Sequence, residues 1–304
     1  MEPLEVCFLG TSCSTPSAER NLTSTAVKFM GNVLLFDCPE GTQRQMMKSK
    51  LSYMKVDHIF LSHLHADHIL GIPGLVATMA MHDREEPLFI YGPRGMEARI
   101  RKAIEVALMR VSFRVECREV KEGVVLEGEK FRVSAFPIEH DVPSLGYLFE
   151  EESKEGTFQR KKAEKMGIPP GPLYSKLQKG EEITFEGRKV KPSEVMDYGK
   201  GRKGRRIGIV MDTRPSARIA EFVSEVDLLV HESSFCEDLR GRADETAHSV
   251  AGDVAKVAKE AKVKRLALTH ISPRYKNPKE ILKEAKKGFK DVFVAEDLQK
   301  VGVK

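Results

Sequence analysis

The densest cluster of potential metal ligands in this chain is the stretch LSHLHADHILGIPGL, residues 61–75. Four ligand-type side chains fall within six positions there, namely His63, His65, Asp67 and His68. We expect His63 and His65 to leave the end of a strand on the same face, with a turn and then a helix after them. Neutral imidazoles and a carboxylate suit Zn²⁺ or a similar transition metal, and burying them unpaired is costly. The stretch therefore predicts a metal site.

Three further ligand-type residues follow apolar runs elsewhere in the chain. His140 follows FPIE, Asp212 follows GIVM, and His270 follows LALT. Together with the first cluster they give five histidines and two aspartates, enough to hold two zinc ions with one aspartate bridging and a hydroxide between them. Two metal ions held close together activate water and stabilise the transition state of phosphodiester hydrolysis.

Strand and helix patterns alternate along the chain, which predicts a layered α/β domain with polar groups where strands end. Short apolar runs predict strands at residues 4–10, 25–30, 32–38, 56–63, 87–92, 130–140, 145–151, 205–213, 226–232, 265–270 and 291–297. Amphipathic spacing predicts helices at residues 40–50, 95–110, 216–225, 249–262 and 277–289. We interpret residues 1–304 as a single domain, and residues 152–203, rich in Lys, Gly and Pro, as an arm inserted within it.

The positive charge of the chain is concentrated in that arm. The whole chain has a formal net charge of +5, yet residues 154–206 alone hold fifteen Lys or Arg against seven Asp or Glu. A locally basic segment on a near-neutral body suggests a polyanion partner, because phosphates are attracted where the field is strongest. A solvated surface loop would have the same composition, so charge alone leaves both interpretations open.

Composition also bears on where the protein works. The five cysteines are scattered without CxxC spacing, and the first ten residues lack a basic region followed by a long apolar run. We therefore expect a cytoplasmic protein without disulfides and without a membrane span. Abundant Lys and Glu with few Asn and Gln favour a heat-adapted source.

The motifs taken together resemble the metallo-β-lactamase superfamily, and within it the RNase Z family. The resemblance rests on FLGTS, PSAERN at residues 16–21, FDCPEGTQRQ at residues 36–45, HLHADH, HESS at residues 231–234, AHS at residues 247–249, and THISPRY at residues 269–275. It implies a four-layer αβ/βα sandwich with a dinuclear zinc site at one edge. It also implies an endoribonuclease that removes the 3′ trailer from precursor tRNA and leaves a 3′-hydroxyl.

The resemblance also assigns the site residues. One zinc ion would be held by His63, His65 and His140, the other by Asp67, His68 and His270, with Asp212 bridging. Asp67 would orient or deprotonate the attacking water, while Glu232 would pair with His248 so that the imidazole protonates the departing 3′ oxygen. Mn²⁺ or Fe²⁺ could replace zinc, and no organic cofactor is expected.

The segment GIPPGPLYSKLQKG, residues 167–180, is similar to the tRNA-binding arm of that family. The residues expected to contact RNA are Arg20, Asn21, Gly171, Pro172, Tyr174, Lys176, Lys179 and Arg274. The family's PxKxRN loop has lysine where this chain has Ala18, so handling of CCA-containing ends stays open. The short length implies a homodimer in which the arm of one subunit grips the tRNA cleaved by the other.

Three alternatives compete with this interpretation. A dizinc phosphodiesterase or other hydrolase of the same superfamily would act on a small substrate, but a small ester does not need a basic arm. Another RNA-processing nuclease of the superfamily would carry a large inserted domain, for which 304 residues leave no room. A catalytically dead RNA-binding protein would not be expected to keep every ligand together with Glu232 and His248.

Overall fold

The computed structural model describes residues 2–106, 111–154 and 156–304. The strands are β1 (Leu4–Gly10), β2 (Ser24–Phe29), β3 (Asn32–Phe36), β4 (Val56–Phe60), β5 (Leu88–Gly92), β6 (Val115–Glu119), β7 (Gly123–Gly128), β8 (Phe131–Ile138), β9 (Ser144–Glu151), β10 (Thr157–Phe158), β11 (Ile183–Phe185), β12 (Arg188–Val190), β13 (Met196–Asp197), β14 (Arg206–Val210), β15 (Leu228–Glu232), β16 (Leu266–Thr269), β17 (Val292–Val294) and β18 (Lys300–Gly302). The α-helices are α1 (Thr42–Lys48), α2 (Ala66–Ile69), α3 (Ile72–Met81), α4 (Met96–Val106), α5 (Arg160–Lys165), α6 (Pro172–Gln178), α7 (Ala217–Phe222), α8 (Arg240–Glu245), α9 (Ala251–Glu260) and α10 (Lys279–Gly288). Short 3₁₀ turns occur at Tyr53–Lys55, Pro192–Glu194, Tyr198–Lys200 and Glu237–Leu239.

Two seven-stranded sheets form the body, which consists of Met1–Glu150 and Arg206–Lys304. The first has the order β18-β1-β2-β3-β4-β5-β6 and the second β17-β16-β15-β14-β9-β8-β7. An apolar cluster that includes Phe36, Phe60, Phe149 and Ile209 fills the space between the sheets. Further clusters join each sheet to its own helices. The four-layer αβ/βα arrangement expected from the sequence is therefore confirmed.

The parallel strands of each sheet determine where the polar residues gather. Strands β3 to β6 run parallel to one another, and so do β14 to β17. The carboxyl ends of parallel strands meet at one edge of a sheet, and side chains that follow them are brought together there. Asp37, Asp212 and His270 all occupy the first two positions after such a strand.

The sequence patterns did not predict several strands and helices of the body. Strand β6 (VECRE) and strand β7 (GVVLEG) lie near a sheet edge and are mostly half-buried or exposed, so they carry no strong apolar run. Helix α3 is apolar on nearly all sides and lacks the amphipathic stripe that marked the other helices. The predicted helix at residues 95–110 is present over Met96–Val106, and its last four residues lie outside the described residues.

Residues Glu151–Arg205 form a second compact unit. This arm has two small antiparallel pairs, β10 with β13 and β11 with β12, together with α5 and α6. Its own apolar cluster is made of Ala163, Ile168, Tyr174, Leu177, Ile183, Val190 and Val195. Glu151 accepts hydrogen bonds from Arg202 and Arg205, and the carboxylate is almost completely buried. The segment is therefore a folded unit with a core and a buried ion pair.

Acid should loosen this unit. Burial opposes ionisation of Glu151, but Arg202 and Arg205 outweigh it and lower the pKa of this carboxyl to about 2. An unfolded chain has a Glu pKa of about 4.3, so the ion pair stabilises the unit above that pH and is lost as pH falls from about 4 towards 2. Hydrogen exchange of the β10 and β13 amides, corrected for intrinsic rates, should lose protection between pH 7 and pH 3. The variant Glu151→Gln should show a much smaller pH effect, and an equal loss in both proteins would contradict the assignment.

None of the helices in the described part of the chain is long and apolar enough to cross a membrane.

Candidate active site

Segments that follow strands of both sheets bring all seven predicted ligands together. The ligand atoms of His63, His65, His140 and Asp212 lie within 4.8 Å of one another, and so do those of Asp67, His68 and His270. Asp212 joins the two groups, because its Oδ2 lies 3.6 Å from His63 Nε2 and 3.5 Å from His68 Nε2. Its Oδ1 lies 3.1 Å from His270 Nε2. Asp212 therefore has an oxygen within 3.6 Å of an imidazole nitrogen in each of the two groups.

The local path of the first cluster differs from the sequence prediction. Strand β4 ends at Phe60, three residues before His63, so His63 and His65 do not share a strand face. Asp67 and His68 lie inside α2 and do not precede it. The chain leaves the strand early because Ser62 donates from its backbone N–H (2.7 Å) and its hydroxyl (2.8 Å) to Asp37. The path that brings these residues together thus depends on two hydrogen bonds to the Asp37 side chain, which the periodicity did not indicate.

The ligands from the second sheet sit just beyond their strands. His140 and Asp212 each lie two residues after a strand end, and His270 follows β16 directly. His270 has φ 56°, a left-handed conformation that costs a non-glycine residue about 1 kcal/mol or more. Its carbonyl accepts a hydrogen bond of 3.0 Å from the Ser234 hydroxyl, which holds the strained backbone in place. Strain of this kind is typical of a functional position.

The donor set fits a divalent metal ion. Four buried side-chain atoms at this centre lack a well-oriented hydrogen bond within the described part of the chain, namely His68 Nε2, His140 Nε2, Asp212 Oδ1 and His270 Nε2. Buried polar atoms are normally satisfied, so a group of them aimed at one point indicates a ligand that they bind. Imidazole nitrogens with carboxylate oxygens are the donors that zinc and related ions prefer.

The electrostatics of the centre also favour a cation. Burial opposes protonation of His68, but the Asp212 and Asp37 carboxylates outweigh it and raise its pKa to about 10. Burial alone would raise the pKa of Asp67, yet His270 and His68 hold it well below its usual range. The pKa of His63 is lowered by burial, which keeps that imidazole neutral with its lone pair available. The ionised carboxylates at this centre therefore favour a positive charge beside them, which a proton on His68 or a bound metal ion would supply.

Hydrogen bonds to the ligands fix their orientation. Asp37 Oδ2 lies 2.8 Å from His68 Nδ1, and the Ala247 carbonyl oxygen lies 3.1 Å from His140 Nδ1. A partner on the second ring nitrogen sets the tautomer and leaves Nε2 for a metal ion. Asp37 was given no role in the sequence analysis, although it lies in the quoted motif FDCPEGTQRQ. Its position one residue after β3, at the same sheet edge as His63, was the signal that could have identified it.

Glu232 and His248 form a buried pair beside the ligands. Glu232 Oε1 lies 3.1 Å from His248 Nδ1, and it also accepts from the Ser249 N–H at 2.8 Å. Burial opposes protonation of His248, but the Glu232 carboxylate outweighs it and raises its pKa to about 9. The His248 ring centroid lies 5.4 Å from that of His270. His248 is thus positioned to carry a proton at the edge of the metal centre near neutral pH.

The remaining histidines lie outside the ligand groups. His231 is fully buried, and its Nδ1 lies 2.7 Å from the Glu232 carbonyl oxygen. His58 stacks on Phe89, and His82 is exposed with Nδ1 2.9 Å from the Thr78 carbonyl oxygen. These placements give all three histidines structural contacts.

The loop that contains Arg20 and Asn21 is held by contacts within the protein. Arg20 Nη1 donates to Thr11 Oγ1 (2.5 Å) and to the Ala295 carbonyl (2.9 Å). The Asn21 N–H donates to Asp297 Oδ2 at 2.7 Å, and Asp297 Oδ1 accepts from Thr11 Oγ1 at 2.8 Å. Arg20 and Asn21 therefore anchor the loop, and Asp297 is an anchoring residue that the sequence analysis missed because it lies far away in the chain.

The other residues expected to contact RNA differ in exposure. Tyr174 is buried in the arm's apolar cluster and donates to the Ile168 carbonyl at 3.0 Å, so its ring and hydroxyl are used to fold the arm. Gly171 and Pro172 form the start of α6, where Gly171 has φ 144°. Lys176 and Lys179 are exposed. Arg274 is exposed and lines a cavity beside His248.

Comparisons with known proteins identify the family. A profile of the beta-lactamase superfamily domain matches residues 32–158. The ribonuclease Z of Methanosarcina acetivorans is 46% identical over 301 residues, which cover 99% of this chain and 98% of that protein. The ribonuclease Z of Archaeoglobus fulgidus is 44% identical, with 98% and 97% covered. The chain belongs to the ribonuclease Z family.

A solved structure agrees with this assignment. The crystal structure of human tRNase Z, short form, superposes with a TM-score of 0.72 at 26% identity, and 99% of each chain is covered. The metallo-β-lactamase fold and the family resemblance predicted from the motifs are thereby confirmed. As a ribonuclease Z, the protein is a hydrolase that acts as an endoribonuclease, and its fold and His and Asp cluster indicate the use of a divalent metal.

Proposed function

We propose that the protein removes the 3′ trailer from precursor tRNA by hydrolysing one phosphodiester bond and leaving a 3′-hydroxyl on the tRNA. The observation that carries this proposal is the seven-ligand centre with the Glu232 and His248 pair at its edge. The names of the ribonuclease Z relatives and of the human tRNase Z support tRNA as the substrate. Mapping the cleavage site on a precursor tRNA tests it.

The ions are proposed to be two zinc ions per chain. His63, His65 and His140 would hold one, Asp67, His68 and His270 the other, and Asp212 would bridge them. When bound, the pair supplies an activated water and a positive charge that stabilises the transition state. Mn²⁺ or Fe²⁺ would be able to occupy the same donors in place of zinc. Elemental analysis of the purified protein should find close to two zinc ions per chain, and a single ion with full activity would contradict the bridging role of Asp212.

Two side chains of the protein would each carry out one proton transfer. The Asp67 carboxylate, less buried than Asp212, would orient the attacking water and accept its proton. The water oxygen bonds to phosphorus while the bond from phosphorus to the 3′ oxygen breaks. His248 would donate its proton to that departing oxygen, and Glu232 holds the imidazole in position and stabilises its protonated form. Without the carboxylate partner the imidazole would be mostly neutral at pH 7 in this buried setting.

The arm is proposed to bind the tRNA backbone. Lys176 and Lys179 are exposed, and in the described residues neither has an acidic partner within ion-pair distance. Lysines of this kind attract phosphates without selecting a base sequence. Deleting residues 167–180 would remove Ile168, Tyr174 and Leu177 from the arm's apolar cluster, so neutralising the charges is a cleaner experiment than deletion.

The double variant Lys176→Gln/Lys179→Gln should raise KM for precursor tRNA roughly tenfold and flatten its salt dependence, because two phosphate contacts are lost. Hydrolysis of a small chromogenic phosphodiester, which offers no RNA backbone, should stay near the parent value. Lys283→Gln/Lys287→Gln on α10 is the matched control, since it removes two exposed lysines from the body. Equal changes of KM and salt dependence in the two double variants would show that these arm lysines do not bind the tRNA.

We further propose a homodimer in which the arm of one subunit grips the tRNA that the other cleaves. Light scattering gives the oligomeric state. Mixing a subunit that carries Asp212→Ala with one that carries Lys176→Gln/Lys179→Gln tests the arrangement, because a mixed dimer regains one intact arm opposite one intact site. Recovery of cleavage on mixing is expected, and a monomer or an absence of recovery would contradict the proposal.

A further inference from the structure

A cavity of about 510 Å³ opens beside His248 in the body of the protein. Its walls come from four segments, namely the loop at residues 13–15, Phe235 shortly after β15, helix α8 with the residues that follow it, and residues 272–274 just after His270. His248 itself forms part of the lining. A group bound in this cavity therefore lies next to the proposed proton donor.

Two arginines, Arg242 and Arg274, line this cavity from different segments. Both are exposed, and in the described part of the chain no carboxylate lies within 4.0 Å of either guanidinium. Among the described residues, Arg274 donates a single long side-chain hydrogen bond, of 3.4 Å, to the Ser272 hydroxyl. By contrast, the neighbouring Arg240 is paired with Glu237 and Asp253, and Arg214 with Glu139. The guanidinium groups of Arg242 and Arg274 therefore form no ion pair with the described residues. They are available to bind one anion in the cavity together.

The geometry of attack at phosphorus indicates which anion the two arginines would contact. In an in-line displacement the attacking water and the departing 3′ oxygen lie on opposite sides of phosphorus, and His248 is the group proposed to protonate the latter. The nucleotide that carries this oxygen, the last one of the tRNA product, must therefore lie on the His248 side, where the cavity is. Its own 5′ phosphate is the nearest backbone anion on that side.

We propose that Arg242 and Arg274 form a subsite for the phosphate 5′ to the last nucleotide of the tRNA product. The subsite rests on the proposed function and adds to it, because it would place the scissile bond by gripping the retained side of the RNA. Backbone contacts of this kind fix register without reading a base. The hydroxyl groups of Ser14 and Thr15, which line the same cavity, are further donors for a phosphate or ribose.

Single substitutions test the contact. Arg242→Ala and Arg274→Ala should each lower kcat/KM for precursor tRNA roughly tenfold and reduce the steepness of its salt dependence by about 0.7 in the log–log slope. Both residues are exposed, so the variants should fold, and unchanged melting curves would confirm that. Arg99→Ala on α4 removes an exposed arginine that has no carboxylate partner among the described residues, and it should have no such effect.

A modified substrate identifies the phosphate. A precursor tRNA with an uncharged methylphosphonate at the position 5′ to the last retained nucleotide should be cut more slowly by the parent enzyme, and Arg242→Ala should add almost nothing to that loss. The same modification on the trailer side should leave the full tenfold effect of Arg242→Ala. The proposal would be wrong if Arg242→Ala still slowed cleavage tenfold when the methylphosphonate is on the retained side. It would also be wrong if the effect of Arg242→Ala disappeared only when the methylphosphonate is on the trailer side. Failure of the parent enzyme to cut the unmodified precursor at one position would contradict the proposed function itself. That result is distinguishable from failure of the subsite, in which the parent enzyme still cuts at one position.

Discussion

The variant Asp212→Ala should lose cleavage of precursor tRNA by roughly 10³-fold or more and should bind fewer metal ions than the parent protein. Asp212 lies between both ligand groups, with oxygens 3.1 to 3.6 Å from His63, His68 and His270. Removing its carboxylate would deprive both proposed metal positions of a ligand at once, and it leaves the buried imidazoles of His68 and His270 without their main counter-charge. Metal content by elemental analysis and cleavage rate are the two readouts.

Two further variants make this result interpretable. Asp212→Asn keeps the size of the side chain but removes its charge, so it should share most of the loss. Asp83→Asn changes an exposed aspartate in the same way and should behave as the parent protein. An Asp212→Ala protein that keeps both ions and cleaves at the parent rate would refute the bridging role.

The variant His248→Ala should lower kcat by roughly 10² to 10⁴-fold while keeping both metal ions, because a general acid contributes an acceleration of that size. His248 is held by Glu232 at 3.1 Å, and its proton is proposed to pass to the departing 3′ oxygen. His82→Ala, which removes an exposed histidine, is the matched control. Loss of metal in His248→Ala would show that the residue is a ligand.

A sulfur leaving group separates a general acid from a structural residue. If the bridging 3′ oxygen of the scissile bond is replaced by sulfur, the departing thiolate needs no proton. This substrate should therefore restore most of the rate lost in His248→Ala and little of that lost in Asp212→Ala. Equal rates of the sulfur and oxygen substrates with His248→Ala would argue against proton donation by His248.

The sequence predicted which residues meet, but not how they are held. Ligand-type residues after apolar runs indicate a common edge because parallel strands end together, and the structure does bring these residues to one centre. The route of His63 to His68 depends on Asp37, a partner about 25 residues away that no local pattern reveals. In the same way Asp297 anchors the loop of Arg20 and Asn21 through contacts that span most of the chain.

The sequence also did not show which side chains are buried and which are exposed. An aromatic residue among lysines has the composition of an RNA-binding surface, yet Tyr174 packs in the arm's apolar cluster and its hydroxyl bonds to Ile168. Conversely, Arg242 belongs to no quoted motif, and only the fold shows that it shares a cavity with His248 and Arg274. The cytoplasmic location and the heat-adapted source stay predictions from composition.

Mapping the cut on a 3′-extended precursor tRNA, with an unfolded RNA of equal length as a control, tests the central claim most directly. The zinc-loaded protein should make a single cut at the discriminator base or just after CCA, leave a 3′-hydroxyl, and spare the control RNA. The position of that cut would also show how a loop with Ala18 in place of lysine treats CCA-containing ends. Scattered cuts in both RNAs, or no cut while a small phosphodiester is still hydrolysed, would contradict the account and reassign the substrate.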